Sequence, residues 1–207
     1  MKLAVIGAAG RTGSATVAEA QRRGHHVVAI ARRDPTDLPE RVESRIADAT
    51  DAEAIAAAIA GTDAVISALG IGSSREETAV YSEGARVTLA AMTTQGIRRL
   101  VVVSAAPAGP RGDHPGLKVA IALRILESFF GASYRDMRRM EQVLAGSDTD
   151  WVAVRPPRLL SKPAKGAYRF GPKPPENGPA ITIEDLACAL VDFAEAQTPT
   201  GCVYLSN

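Results

Sequence analysis

The sequence predicts an α/β fold in which a parallel sheet is covered by helices on both faces. Short runs of Val, Ile and Ala alternate with amphipathic helical stretches along nearly the whole chain. These apolar runs are continuous rather than alternating with polar residues, which is typical of strands buried on both faces. The first run also passes through a glycine-rich turn directly into a helical stretch, as a strand–turn–helix unit does.

Seven strands and four of the helices between them can be placed from these patterns. The predicted strands are 3–6, 26–31, 42–47, 64–68, 100–104, 151–155 and 203–205. The predicted helices are a stretch ending at 24, then 51–60, about 76–95 and 183–196. Right-handed crossovers between successive strands give a doubly wound, Rossmann-type sheet. No linker or internal repeat divides the chain, so residues 1–207 are predicted to form a single domain.

The glycines after the first strand are the strongest functional signal. Gly7 permits a sharp turn, Gly10 lets a phosphate approach bare backbone, and Gly13 lets the helix lie close to the strand. The start of that helix offers unpaired amide groups and the positive end of its dipole to a pyrophosphate. A glycine triplet can also be a purely structural turn, but the strand and helix flanks favour dinucleotide binding.

The residues after the second strand indicate which dinucleotide binds. An NAD site would place Asp or Glu at this strand end to bind the ribose 2′-hydroxyl. Here Arg32 and Arg33 follow the strand, and Asp34 comes only after both. A guanidinium can pair with a 2′-phosphate through charge-assisted hydrogen bonds, so we expect NADP(H), with Arg32 as the contact. The alternative is a solvated pair of arginines that opens a loop.

Composition excludes several other classes of function. A net charge of +1 over 207 residues gives no reason to expect nucleic acid or a membrane surface as a partner. Met1 leads straight into the first strand, and no apolar run is long enough to span a bilayer. Cys188 and Cys202 lack metal-ligand spacing and suit a reducing compartment, so we expect a cytoplasmic protein with no metal site.

Two Pro- and Gly-rich segments, at about 105–117 and 158–179, follow the fifth and sixth strands. Ligands in open α/β sheets bind beyond the carboxyl ends of the strands, so both segments should border the substrate pocket. The second segment is basic. It carries Lys162, Lys165, Arg169 and Lys173 against one acid, Glu176. This excess suits an anionic ligand, although a solvated loop explains it equally well.

Several motifs together resemble the short-chain dehydrogenase/reductase superfamily, and its atypical branch in particular. The glycine turn reads GAAGRTG, and the third, fourth and fifth strands end in ADATD, ISALG and VVVSA. The later stretch DMRRMEQVLAGSDTDWVAVRPPRLL is similar to the helix–strand–Arg-Pro signature of that branch. The branch includes NmrA-like NADP-binding regulators and flavin reductases of the biliverdin reductase B type. The resemblance covers nearly the whole chain.

This resemblance implies the residues of a cofactor site. The pyrophosphate would be surrounded by Gly7, Ala9, Gly10, Arg11, Thr12 and Gly13. The 2′-phosphate would meet Arg32, and the adenine Asp48 with Ala49. The ribose and the route to the nicotinamide would be lined by Ala68, Leu69 and Gly70, and the nicotinamide itself by Pro156. Asp48 could instead cap the helix that begins near Thr50 and Asp51.

The resemblance also implies a catalytic position at Ser104, which stands where the superfamily places its active-site serine. That serine could polarise an acceptor atom, or it could simply satisfy a backbone group at the strand end. The superfamily's Tyr-x-x-x-Lys pair is absent. Its lysine position, four residues before Glu141, holds Met137, and its tyrosine position holds Ser133.

Tyr134 lies one residue from the expected tyrosine position, with Arg138 four residues further along the same helical face. A guanidinium can favour tyrosinate electrostatically but cannot relay protons. Tyr134 is therefore a candidate catalytic residue. The simpler alternative is that Tyr134 is half-buried and has no catalytic role, and that the neighbouring arginines face water. His114, in the loop after Ser104, is a further candidate proton source, or an ordinary surface-loop histidine.

We therefore predict an NADPH-dependent oxidoreductase that passes hydride to a planar, conjugated and anionic small molecule, such as a flavin or quinone. Such acceptors do not need a tightly placed enzymic acid, because solvent can protonate their heteroatoms. The alternatives are an NADP-binding redox sensor without turnover, and an isomerase or epimerase that keeps its nicotinamide bound.

Overall fold

The computed structural model describes residues 1–33, 42–72, 76–110, 117–175, 180–196 and 198–207. Asp34, His114 and Glu176, which the sequence analysis singled out, lie outside the described residues.

Ten strands and five α-helices make up the described part of the chain. The strands are β1 (Lys2–Ile6), β2 (His26–Ala31), β3 (Val42–Ile46), β4 (Ala64–Ser67), β5 (Arg99–Val103), β6 (Asp150–Arg155), β7 (Arg158–Leu160), β8 (Arg169–Gly171), β9 (Ala180–Thr182) and β10 (Gly201–Ser206). The helices are α1 (Arg11–Arg22), α2 (Ala52–Ile59), α3 (Val80–Gln95), α4 (Leu117–Ala145) and α5 (Ile183–Glu195), and a 3₁₀ turn covers Ala106–Ala108.

The central sheet confirms the predicted doubly wound fold. Its strand order is β3-β2-β1-β4-β5-β6-β10-β8, and all neighbours are parallel except β10 and β8. The order reverses between β1 and β4, which creates the crevice where ligands bind in such sheets. One hydrophobic cluster packs α2, α3 and α4 on one face, and a second packs α1 and α5 on the other. Most central strand residues are therefore fully buried.

Two boundary predictions were wrong. The segment 158–179 is not simply a loop, because it contains β7 and β8. β7 pairs with β9, which follows the segment, in a small parallel sheet, and β8 adds an antiparallel edge to the central sheet. These strands are three residues long, which is too short for an alternation pattern to be visible in the sequence. The third helix begins at Val80 rather than near residue 76.

The start of α3 is determined by a residue from another helix. Ala79 occupies the N-cap position of α3 and offers no capping oxygen. Asp136 of α4 takes that role, accepting hydrogen bonds from the Tyr81 amide at 2.9 Å and the Ser82 hydroxyl at 2.5 Å. The Asp136 carboxylate is fully buried, so it fixes α3 against α4 as well as capping it.

We expect Asp136→Ala to lower the free energy of unfolding by about 2 to 3 kcal/mol, because it leaves buried amide and hydroxyl donors without their acceptor. Asp51→Ala is the matched control. Asp51 caps α2 through the Ala54 amide at 3.0 Å but is exposed, so about 1 kcal/mol is expected there. Urea unfolding of the two variants measures the difference. Equal losses would contradict the role assigned to Asp136.

Candidate cofactor and acceptor site

Backbone hydrogen bonds continue beyond the carboxyl ends of the strands and bring the following segments side by side. The Gly7 amide donates to the carbonyl of Ile30 at 2.9 Å, and the Ala68 amide donates to that of Ile6 at 2.9 Å. On the other half of the sheet, the Ser104 amide donates to Val154 at 2.7 Å. The predicted cofactor residues that follow β1 to β6 therefore share one edge of the sheet.

The glycine turn after β1 has no room for side chains. Gly7 adopts a φ of +82°, and a Cβ there would lie 2.6 Å from the Ala68 carbonyl oxygen. A Cβ on Gly13 would lie 2.1 Å from the Gly7 carbonyl oxygen. Both neighbours are backbone atoms, which cannot move aside as a flexible side chain can. The two glycines thus fix the first turn of α1 directly over the end of β1.

The amino end of α1 is suited to bind an anion. Gly10 is its N-cap and has no side chain to accept from the first helical amides, and the first turn carries no acid. The early amides of a helix have no partner within the helix, and the helix dipole is positive there. Gly10 and Arg11 are exposed and Thr12 is half-buried. The residues present therefore fit a dinucleotide pyrophosphate.

Arg32 and Asp48 lie at the ends of β2 and β3, beside this turn. Arg32 is exposed, and its charge helps to lower the pKa of Asp48, although the hydroxyl and amide of Thr50 contribute more to that shift. Asp48 Oδ1 accepts both Thr50 bonds, at 2.7 and 2.9 Å. The alternative that Asp48 caps α2 is wrong, because Asp51 occupies that position.

Ser104 belongs to a buried polar network. Its hydroxyl donates to Oε1 of Glu141 on α4 at 2.8 Å, and Ser104 is only 3% exposed. Glu141 also accepts two hydrogen bonds from Arg155, at 2.9 and 2.7 Å. Because the single hydroxyl proton points to Glu141, Ser104 does not offer it to an acceptor molecule. The catalytic role of Ser104 stays a prediction, beside this structural role.

Arg155 links that network to the neighbouring strand, β10. Burial opposes its charge, but pairing with Glu141 outweighs burial and raises the pKa of Arg155 above its usual value. Its Nη1 donates to the Tyr204 hydroxyl at 3.2 Å, and a Cβ on Gly109 would lie 1.9 Å from that hydroxyl. The Ala106 amide, in the same segment, donates to the Pro156 carbonyl at 2.9 Å. The network therefore holds residues 106–109 against β6 and β10.

Tyr134 lies away from Ser104. It is half-buried between α3 and α4, and burial raises its pKa, with a smaller effect from Tyr81. Ser104 contacts Glu141, seven residues further along α4, which is about 10 Å along a helix axis. A raised pKa makes the Tyr134 phenol a weaker proton donor. This environment matches the half-buried alternative, and the catalytic role of Tyr134 stays a prediction.

Arg135 and Arg139 are exposed, as that alternative supposed, whereas Arg138 is half-buried. Arg138 lies 3.7 Å from Glu127, and its Nη1 is 3.4 Å from the Pro107 carbonyl. Arg139 donates to the Thr78 carbonyl at 2.8 Å. They fasten α4 to the segments that follow β4 and β5.

The basic segment after β7 is anchored by a buried acid. Asp185, at the start of α5, accepts from the amides of Lys165 and Gly166 at 2.9 and 3.0 Å. Thr182 caps the same helix by accepting a hydrogen bond from the Asp185 amide at 3.0 Å. The basic side chains of this segment are exposed and are available to an anionic ligand: Lys162, Lys165, Arg169 and Lys173.

Sequence reasoning missed the roles of Glu141, Tyr204 and Asp136. One signal was available, because an arginine inside a buried strand requires an acidic partner, and Arg155 is such a residue. The partner itself could not be identified without the packing of α4 on the sheet.

The fold and the uncovered amino end of α1 define a nucleotide-binding α/β protein. The chain belongs to the NAD(P)H-binding family, which it matches over residues 7–197, and the predicted superfamily is thereby confirmed. It is therefore a member of a family that binds a nicotinamide cofactor.

Two relatives illustrate the range of the family. An uncharacterized protein of Mycobacterium tuberculosis is 30% identical over 155 residues, which are 75% of this chain and 14% of that protein. The chain thus spans about a seventh of that relative's length. A 3-diazoavenalumate denitrifying reductase of Streptomyces is 27% identical, over all of this chain and 76% of the reductase.

Solved structures share the fold over the whole chain. A putative exported protein of Burkholderia pseudomallei is 29% identical, with a TM-score of 0.80 and complete coverage of both chains. ChuY, an anaerobillin reductase of Escherichia coli, is 23% identical with a TM-score of 0.80 and 97% of its length covered. A short-chain dehydrogenase/reductase of Veillonella parvula in complex with NADP is 20% identical, with a TM-score of 0.79 and 94% covered. Within the described residues, no helix has both the length and the apolar character needed to cross a membrane.

We expect Gly13→Ala to abolish nucleotide binding and to lower the free energy of unfolding by about 2 to 3 kcal/mol, because its methyl group would overlap the Gly7 carbonyl. Gly146→Ala is the control, since a Cβ there meets its nearest neighbours at 3.7 Å. Calorimetric titration with NADPH and thermal unfolding provide the two measurements. A Gly13→Ala protein that binds normally would show that α1 does not depend on this close contact.

Proposed function

We propose that this protein is an NADPH-dependent oxidoreductase that passes hydride to a planar, conjugated acceptor of the flavin or quinone type. The observation that carries the proposal is the amino end of α1, where no side chain caps the helix and no acid stands in the first turn. This end is held over β1 by the close contacts of Gly7 and Gly13, and Arg32 follows the adjacent strand. The bound nicotinamide supplies the hydride. The residues of this chain bind and orient the two reactants.

The preference for NADPH over NADH rests on Arg32. This exposed guanidinium directly follows β2, at the place where an NAD site has an acid. Its charge acts on Asp48, which follows the neighbouring strand β3, so both residues lie at the carboxyl edge of the sheet. An arginine there binds a 2′-phosphate through charge-assisted hydrogen bonds and gives no comparable contact to a 2′-hydroxyl.

The proposed class of acceptor follows from the absence of a good proton donor at the two candidate catalytic residues, Ser104 and Tyr134. The Ser104 hydroxyl donates to Glu141, and burial raises the pKa of the Tyr134 phenol. Reduction of an ordinary carbonyl requires a well-placed acid, whereas solvent can protonate the heteroatoms of a reduced flavin or quinone. The reductase names of two relatives, from Streptomyces and Escherichia coli, support hydride transfer to an unusual acceptor.

The charge around the acceptor pocket supports an anionic acceptor. Four exposed basic side chains follow β7, and the buried Asp185 holds the backbone of that segment in place. A flavin phosphate or a carboxylate on a conjugated ring system complements this surface. We propose a small molecule rather than nucleic acid or a membrane as the partner, and a cytoplasmic location.

An NADP-binding redox sensor is the second candidate. The observation that favours it is the Ser104–Glu141–Arg155 network. Ser104, at the position expected for a catalytic donor, already donates its hydroxyl proton to Glu141. A sensor needs the cofactor site but no acceptor chemistry. Turnover separates the two functions.

We expect the purified protein to oxidise NADPH when FMN, FAD or a soluble quinone is added. Loss of absorbance of the reduced nicotinamide measures the rate, and the same mixture without protein is the control. Tight NADPH binding without oxidation by any acceptor in the panel would support the sensor instead. Absence of binding to both NADPH and NADH would refute both candidates.

We expect Arg32→Ala to weaken NADPH binding by about 10- to 100-fold, because it removes one charge-assisted contact to the 2′-phosphate. NADH affinity should change by less than about threefold, since the 2′-hydroxyl makes no such contact. Arg33→Ala is the matched control, as Arg33 is also exposed but stands one residue further from β2. Equal losses for NADPH and NADH would contradict the assignment of Arg32.

A further inference from the structure

Gly84 is a buried glycine in the interior of α3, a position where alanine would be the better helix former. The space around it explains the glycine. A Cβ at this position would lie 2.7 Å from Cδ1 of Leu69 and 3.6 Å from Cβ of Ala49. Because Gly84 has no side chain, the Leu69 side chain occupies the space beside it on the surface of α3.

The backbone of Leu69 is held from the opposite side. A Cβ on Gly7 would lie 2.6 Å from the Ala68 carbonyl oxygen and 3.2 Å from the Leu69 nitrogen, so the glycine turn packs directly on this peptide. The Leu69 backbone is thus confined between β1 and α3. Its side chain, which is half-buried, has rotational freedom that its backbone lacks.

The helix cannot easily move away to make room. Asp136 binds the first turn of α3 through the Tyr81 and Ser82 amides, and Asp136 is itself fully buried. The Tyr81 hydroxyl also bonds to the backbone of Ile71, two residues after Leu69. A group added at Gly84 must therefore displace the Leu69 side chain rather than α3.

We propose that Gly84 is a positioning residue for the cofactor site, because its missing side chain lets Leu69 pack against α3 and keeps the crevice between β1 and β4 open. This inference rests on the proposed function and on the position that the family resemblance implies for the cofactor, against residues 68–70. With alanine at position 84, Leu69 turns away from α3, and the direction left to it is the crevice at the carboxyl edge of the sheet.

The test is a double-mutant cycle on positions 84 and 69, with the NADPH dissociation constant and the thermal midpoint measured for each protein. Gly84→Ala should raise the dissociation constant by about tenfold, as expected for one methyl group forced into a packed site. Its thermal midpoint should change little, because the better helix propensity of alanine offsets the cost of moving the Leu69 side chain. In the Leu69→Ala background, Gly84→Ala should leave the dissociation constant unchanged.

Gly131→Ala is the matched control, since Gly131 is also a buried helical glycine and a Cβ there meets the end of the Arg135 side chain at 3.3 Å. It should leave NADPH affinity unchanged. Normal affinity of Gly84→Ala, an equal loss in both Leu69 backgrounds, or an unfolded Gly84→Ala chain would each overturn the inference. A wild-type protein that binds neither NADPH nor NADH would instead refute the proposed function on which the inference rests.

Discussion

The contact between Gly13 and the Gly7 carbonyl is the constraint on which the rest of the site depends. It brings α1 so close to the end of β1 that a single methyl group would not fit. The amino end of α1 is consequently fixed over the carboxyl edge of the sheet, where β2 and β4 also end beside β1. A charge bound there would interact with aligned amide dipoles that need no reorganisation, which makes the proposed dinucleotide site selective for anions.

The two halves of the proposed site, one for the cofactor and one for the acceptor, are held by different kinds of interaction. The cofactor half depends on backbone atoms and on glycines that let them approach one another. The acceptor half depends on side chains, above all on the buried pair of Glu141 and Arg155, which connects α4, β5, β6 and β10. A buried ion pair adds little net stability, since desolvation opposes its attraction, but it strongly penalises arrangements in which either partner loses the other. It therefore defines one position for residues 106–109.

This division has a consequence for chemistry. A binding turn made of backbone atoms depends little on the side chains around it. In the proposed acceptor half, by contrast, the buried polar side chains form hydrogen bonds with one another. Ser104 donates to Glu141, and Tyr134 packs between two helices where burial raises its pKa. The proposed acceptors follow from this arrangement, because they take up hydride without an enzymic acid, and the basic segment after β7 adds a preference for negative charge.

The sequence alone determined the doubly wound sheet, the glycine turn and the position of Arg32. These features are encoded locally, in continuous apolar runs and in residues whose backbone requirements are specific to glycine. The tertiary structure decided what depends on distant contacts. Asp136 shows this for α3, whose first turn is capped from another helix, and so the helix boundary could not be found locally. Ser104 shows it for the site, because its partner lies 37 residues away and its hydroxyl proton could be located only once α4 was packed against the sheet.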